Sequence, residues 1–273
     1  PISLSFYVKS FRTPWILANS DNTTAFAGLG YSVDSKVDSN GHIVLGCSHI
    51  YSSSGEGLKF KLARISNDKI QWRHRKPHLC YDDAYEFGKN IIELFYESMN
   101  ELPKRVVIHK RTYFTEEEKQ GIIDSISDNN KIESIDLIEI NFEDNIKYTS
   151  SKIVEGKACV DGFSVSRGSC ILLNSKEALL WAHGVVPSVR NPNFSFYPGG
   201  RYIPKPLRII KHYGVGSLEQ IANEILGLTK MNWNSLNMYS QLPATICSSN
   251  DIARIGKLID SNSKHEYDYR YFI

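Results

Sequence analysis

The sequence predicts an α/β protein whose core is a mixed five-stranded sheet flanked by helices, and three features lead there. Three apolar, β-rich runs follow one another at 24–33, 42–52 and 59–65, with Asp38-Ser39-Asn40-Gly41 as a turn signal between the first two. A long run of helical period comes next, carrying Ala84, Phe87, Ile91, Ile92, Phe95 and Met99 on one face. Beyond it a short apolar run, a second helical pattern and another apolar run alternate, as strand–helix–strand crossovers do.

The first three runs form a meander, rich in β-branched and aromatic residues and bounded by turn formers. Asp82 or Asp83 is expected to cap the first helix, and Pro103 to end it, because proline cannot continue an α-helix. Arg105-Val106-Val107-Ile108-His109 has the unbroken apolar centre of a parallel strand covered on both faces. Thr115-Glu116-Glu117-Glu118 has capping-box spacing, so a second helix opens there and leads to a strand at 133–141. Two further runs, 162–165 and 170–173, read as an antiparallel pair joined through Ser166-Arg167-Gly168-Ser169. The proline-rich segment 185–206, with its Gly199-Gly200 pair, reads as a long irregular loop. Helices at 217–229, capped by Ser217, and at 250–259 precede the tail from Tyr267 to Ile273. A meander first and crossover helices after is the element order of the RNase H-like fold.

Composition narrows the class. The chain has 273 residues, 41% hydrophobic and 23% charged, which are globular values. No apolar stretch reaches the 18 or so residues that a membrane span needs. Cys47, Cys80, Cys159, Cys170 and Cys247 are odd in number and contain no CxxC pair, so reduced thiols and a cytoplasmic location are expected rather than a disulfide frame or a zinc site. Net charge is only +2, but it is uneven: residues 186–273 hold ten Lys/Arg against six Asp/Glu. Arg190, Arg201, Lys205, Arg208 and Lys211 fall in a window, from Ala178 to Leu218, without any acid. Such a basic stripe suits a phosphate backbone, and a solvated basic loop is the alternative.

A nuclease of this fold needs acids at set places, on the first strand and at the end of the fourth, to clamp two Mg²⁺ ions on the scissile phosphate. The first strand reads Phe26-Ala27-Gly28-Leu29-Gly30-Tyr31, with Gly30 where the acid should stand. The fourth strand ends in Lys110 and Arg111, and no acid occurs between Leu102 and Thr115. Cations there repel Mg²⁺.

Several segments together resemble the PIWI domain of Argonaute proteins, the prokaryotic ones in particular. Arg12-Thr13-Pro14-Trp15-Ile16-Leu17 is similar to the Gly-Thr-Pro-Trp opening of that domain. Phe26 to Gly30 resembles its first strand, and Val106 to Arg111 the strand that ends His-Arg-Asp-Gly in cutting members. In the last third, Tyr202-Ile203-Pro204-Lys205-Pro206-Leu207, Thr229-Lys230-Met231-Asn232-Trp233-Asn234, Leu242-Pro243-Ala244-Thr245 and the segment from Asp251 to Leu258 match in order and spacing. The resemblance covers nearly the whole chain. It implies one PIWI domain over 1–273, with an RNase H-like core at about 22–185 and a C-terminal guide-binding part at about 186–273. A MID domain would precede Pro1 in the full protein.

On that resemblance the four catalytic positions fall at Gly30, Leu79, Arg111 and Asp251, and only the last is an acid. The pattern resembles the inactive short and long-B prokaryotic Argonautes. Those work through an associated TIR, Sir2 or nuclease effector, here expected with an APAZ-type domain. The expected function is therefore guide-dependent binding of a complementary target, RNA or DNA, without cleavage, in defence against invading DNA. Lys230, Asn232 and Asn234 would donate to guide phosphates, with Trp233 a core anchor beside them. Ser248, Ser249 and Asn250 would form a phosphate seat at a helix N-terminus, with Arg254 and Lys257 on one face of that helix. Arg201 and Lys205 would add to the basic channel, and the knot Arg73-His74-Arg75-Lys76 would either face it or be a solvated turn. The family also implies a structural Mg²⁺ ion at the guide 5′ phosphate, held by the free carboxylate of Ile273. Asp251 has a plainer role open to it, satisfying a helix dipole. His109 reads as a hydrogen-bonded core residue. Two other functions stay open: a guided endonuclease using displaced acids such as Asp34, Asp82 or Asp83 with Asp251, and a protein-interaction domain that binds no nucleic acid.

Overall fold

The computed structural model describes residues 2–18, 23–33, 42–52, 59–60, 62–66, 71–73, 76–149, 151–160, 165–186, 203–233, 239–255, 267–268 and 270. The chain begins with α1 (Ile2–Lys9), β1 (Thr24–Val33), β2 (His42–Tyr51), β3 (Lys59–Phe60) and β4 (Leu62–Ser66). The small hairpin β5 (Gln71–Arg73) and β6 (Lys76–His78) leads into α2 (Tyr81–Met99), β7 (Arg105–Lys110), α3 (Glu116–Ser127) and β8 (Ser134–Phe142). Then come β9 (Ser151–Val154), β10 (Lys157–Val160), β11 (Cys170–Leu172), β12 (Glu177–Leu180) and β13 (Leu207–Tyr213). Helices α4 (Leu218–Leu228) and α5 (Ala244–Ile255) and the short β14 (Tyr267–Asp268) follow.

The main sheet runs β11-β12-β13-β8-β7-β1-β2-β4. Its β4-β2-β1-β7-β8 portion is the expected five-stranded RNase H-like unit: an antiparallel meander, then two strands added parallel through α2 and α3. Parallel neighbours need such crossovers. The sheet is wider than the expected five strands because β13, β12 and β11 extend it antiparallel from β8.

Both faces of the sheet are covered, which is why its central strands are apolar throughout. On one face Ala25, Ala27, Leu29, Val106 and Ile108 pack with Phe87, Ile91 and Phe95 of α2 and Ile122 and Ile126 of α3. On the other Phe26, Val107, Ile138, Ile140 and Ile209 pack with Ile221 and Ile225 of α4 and Ile246 of α5. Arg105 ties α4 to this second face, donating to Asp136 at 2.7 Å and to Glu224 at 2.5 Å.

Three local expectations need correction. Cys80, not Asp82 or Asp83, is the N-cap of α2; both carboxylates lie in the first turn, where they still favour the helix dipole. The helix stops at Asn100, in the left-handed region at φ 55°, before Pro103 is reached. β11 pairs with β12, and the run at 162–165 expected beside it lies, at 162–164, outside the described residues. Helix α5 starts at Ala244, six residues before the expected 250. The amides of Ile246 and Cys247 bond to the carbonyl of Pro243, whose fixed φ suits a helix start. The capping box at Thr115 and Glu118 and the Ser217 cap form as expected. The turn at 38–41 and the Gly199-Gly200 pair lie outside the described residues.

Candidate nucleic-acid interface

The positions matched to the first and third catalytic acids are brought together by strand register. Leu29 pairs with Lys110 across the parallel β1–β7 ladder, so Gly30 and Arg111 each stand one residue beyond it, side by side. β1 carries a register shift against β2 between Gly28 and Gly30. On the face opposite Ala27 and Leu29, α5 lies directly on these glycines. A Cβ on Gly30 would come within 2.7 Å of the Ser249 carbonyl and 2.8 Å of the Asn250 nitrogen, and one on Gly28 would collide with the Thr245 carbonyl oxygen. Glycine at 30 is therefore a packing requirement. Next to it His109 is fully buried, with Nδ1 at 2.9 Å from the Thr245 hydroxyl. Burial, then the Arg105 charge, lowers its pKa to about 3, so the ring is a neutral core residue.

Lys110 does not share the Arg111 face, contrary to the expectation that both cations mark the strand end. Strand alternation turns it to the α2–α3 side, where it is completely buried and bonds both Glu118 carboxylate oxygens, at 2.6 and 2.7 Å. Glu118 also accepts from the backbone amides of Leu79 and Thr115 and from the Tyr31 hydroxyl, and lies 3.3 Å from His78 Nδ1. Leu79 is fully buried in the first core. Burial by itself raises the Glu118 pKa, but the His78 hydrogen bond and the Lys110 ammonium outweigh it and hold the carboxyl at about 2. A folded value below the ordinary 4.5 means stability that is complete above about pH 4.5 and lost as pH falls toward 2. Urea midpoints of the wild type should fall across that interval more steeply than those of Glu118→Gln. Equal slopes would remove Glu118 as the source.

Arg111 instead faces a groove of about 560 Å³, lined by Lys76, Arg111, Asn141, Phe142, Asp144 and Lys205, with Gln241 at its side. Its guanidinium lies over the Phe142 ring, 5.3 Å from the centroid. Lys205 bonds Asp144 at 2.6 Å. Three cations against one carboxylate leave the groove net positive. Of the expected binding residues it contains Lys205 and, from the basic knot, Lys76. Nothing in the sequence pattern singled out Asn141, Phe142 or Gln241, which arrive from the end of β8 and from just before α5.

Other expected residues fare differently. Ser248 and Ser249 are buried inside α5, not at its N-terminus, and donate to the helix's own carbonyls of Ala244 and Ile246. The anion seat expected there does not form, and Asp251 lies in the second half of α5, not its first turn. Asp251 is exposed beside Arg254, at 3.7 Å. Lys230 is exposed just after α4, with its carbonyl accepting from the Trp15 indole at 2.8 Å, which joins the first segment of the resemblance to the last third. Trp233 is buried in the second core. Arg208 and Lys211 of the basic stripe serve the sheet: Arg208 pairs with Glu177 and Glu143, and Lys211 donates to the Gly216 carbonyl. Arg201, Asn234, Lys257 and Ile273 lie outside the described residues, as do Asp34, His74, Arg75 and Arg190. Among the described residues no group of three or more His, Cys, Asp or Glu side chains could hold a metal ion, and no helix is long and apolar enough to cross a membrane.

No family model matches the chain, and no curated protein matches it in sequence. Solved structures do. Aquifex aeolicus Argonaute is 19% identical with a TM-score of 0.64, covering 100% of this chain and 34% of its own. Clostridium butyricum Argonaute, bound to a guide DNA and a 19-mer target DNA, is 19% identical with a TM-score of 0.64, covering 100% of this chain and 32% of its own. The chain thus spans about a third of the length of the structures it matches. At this identity the likeness establishes a shared fold, the RNase H-like PIWI fold of Argonaute proteins.

Proposed function

We propose that this chain is the PIWI part of a guide-dependent nucleic-acid-binding protein that holds a guide paired to its target and does not cut either strand. Base pairing would supply sequence specificity while the protein grips backbones. The single observation that carries the proposal is the pair of positions just past the end of the β1–β7 ladder. One is a glycine with α5 backbone packed against it, the other an arginine. Two-metal cleavage needs converging carboxylates there. Gly30, Leu79 and Arg111 contribute none, so the donor set does not fit a catalytic Mg²⁺ pair. Target recognition would then act through an associated effector, in defence against invading DNA. A Mg²⁺ ion at the guide 5′ phosphate would use the carboxylate of Ile273.

The test incubates the full protein with a 5′-phosphorylated guide, labelled matched target and Mg²⁺ or Mn²⁺. Retention of both strands with the target intact is expected. Target cleavage abolished by Asp251→Ala would overturn the proposal in favour of a displaced metal site. Failure to retain the guide at low salt would favour a protein-interaction domain.

A further inference from the structure

We infer that Arg111 is a phosphate-binding residue: it and its groove take a backbone phosphodiester of the bound nucleic acid directly, through a guanidinium rather than through metal ions. This rests on the proposed function and specifies the chemistry of that site. Three observations carry it.

The first is that Arg111 is unspent. Two other arginines of the sheet are committed, Arg105 to Asp136 and Glu224 and Arg208 to Glu177 and Glu143. Arg111, half-buried, has no hydrogen-bond or ion-pair partner among the described residues; the Phe142 face lies beneath it and the Cys247 thiol is near enough to feel its charge. A guanidinium seated on a ring is held in plane while its N–H edge stays free, which suits the bidentate capture of a phosphate.

The second is the company it keeps. Lys76 and Lys205 line the same groove, with the Gln241 amide and the Asn141 amide, one N–H of which donates to Glu139 at 2.6 Å, beside them. Asp144, the groove's one carboxylate, already engages Lys205 and is two-thirds exposed, so it is free to turn outward when an anion enters. A net-positive groove of about 560 Å³ accommodates a phosphodiester and the sugars on either side.

The third is the rigidity of the support. Arg111 follows β7 directly, and the residue before it, Lys110, is anchored in the buried pair with Glu118. The guanidinium therefore projects from a fixed strand end, with little chain entropy to lose on binding.

The experiment uses the full guide-loaded protein and a fluorescent target, with affinity measured over a salt series. Arg111→Gln is expected to weaken target binding about tenfold for every target sequence, and to reduce the slope of log affinity against log salt by about one. Arg111→Lys, which keeps the charge but loses the fork, should fall between. A methylphosphonate scan, one linkage at a time in guide or target, locates the phosphate and says which strand supplies it. The wild type should lose affinity at one linkage where Arg111→Gln loses none further. The melting temperature of the variant should stay close to the wild type, since Arg111 has no hydrogen-bond or ion-pair partner among the described residues. Unchanged affinity and salt slope in a normally loaded Arg111→Gln protein would overturn this assignment while leaving the proposed function standing. A wild-type protein that retains no guide would overturn both.

Discussion

Gly30→Asp combined with Arg111→Asp is expected to leave the protein without Mg²⁺-dependent cleavage and to destabilise it by roughly 3 kcal/mol or more. Chemically the pair restores two acids to the matched positions. Sterically it cannot, because a Cβ at residue 30 falls within 2.8 Å of three backbone atoms of Ser249 and Asn250. Backbone inside a helix cannot swing aside as a side-chain tip does, so the helix must lift from the sheet or the strand must bend. Moving α5 uncovers Ile246, Ile252 and Ala253, all buried. Gly30→Ala isolates the steric part and should itself cost about 1–3 kcal/mol, and Gly28→Ala a similar amount. Urea denaturation read by circular dichroism, beside the cleavage assay, separates the two effects. A double variant that cuts its target, or a Gly30→Ala protein as stable as the wild type, would mean that α5 does not occupy the space over β1.

Lys110→Met is expected to cost about 3–5 kcal/mol, because the fully buried Glu118 carboxyl would lose the ammonium that offsets its burial. Both side chains are fully buried, 2.6 Å apart. Adding Glu118→Gln should recover much of the loss, since a neutral amide still accepts a hydrogen bond from Leu79 or Thr115 while removing the stranded charge. Denaturant midpoints of the two single variants and the double variant form the cycle, and a strong positive coupling is the expected sign. Additive losses would show that the two groups do not stabilise each other. The exchange rate of the Leu79 amide is a local readout: it should rise in Lys110→Met, because this cluster pins the β6–α2 junction to α3.

Much of the fold was legible because its signals are local. The unbroken apolar run from Val106 to Ile108 has one economical explanation, a strand covered on both sides. The Thr115–Glu118 box is likewise complete within four residues. Where local signals were ambiguous, long-range packing decided. Glu177-Ala178-Leu179-Leu180 has the composition of a helix, yet forms β12 because β13 offers an open edge on which to pair. Leu207–Tyr213 alternates apolar and basic residues directly after a proline-rich segment, so its strand character was hidden by its neighbours. The Ser248-Ser249-Asn250 triplet looks like a helix cap, but packing against β1 carried the helix start back to Pro243, and the same serines became interior groups bonded to their own turn.

The site divides along the same line. That Gly30 and Arg111 carry no carboxylate is a property of residue identity, and identity is all that metal coordination at those positions asks about. The sequence by itself therefore determined that these two positions carry no acid, along with the core periodicities and the basic C-terminal third. Only the tertiary structure decided what surrounds those positions: helix backbone pressed on Gly30, Lys110 turned away into a buried pair, and Arg111 left facing a groove assembled from β6, β8 and the segment before β13. Strand alternation separates Lys110 from Arg111 by a single residue, and which face is core depends on helices far along the chain. A pattern read along one dimension records the alternation but not which side will be covered.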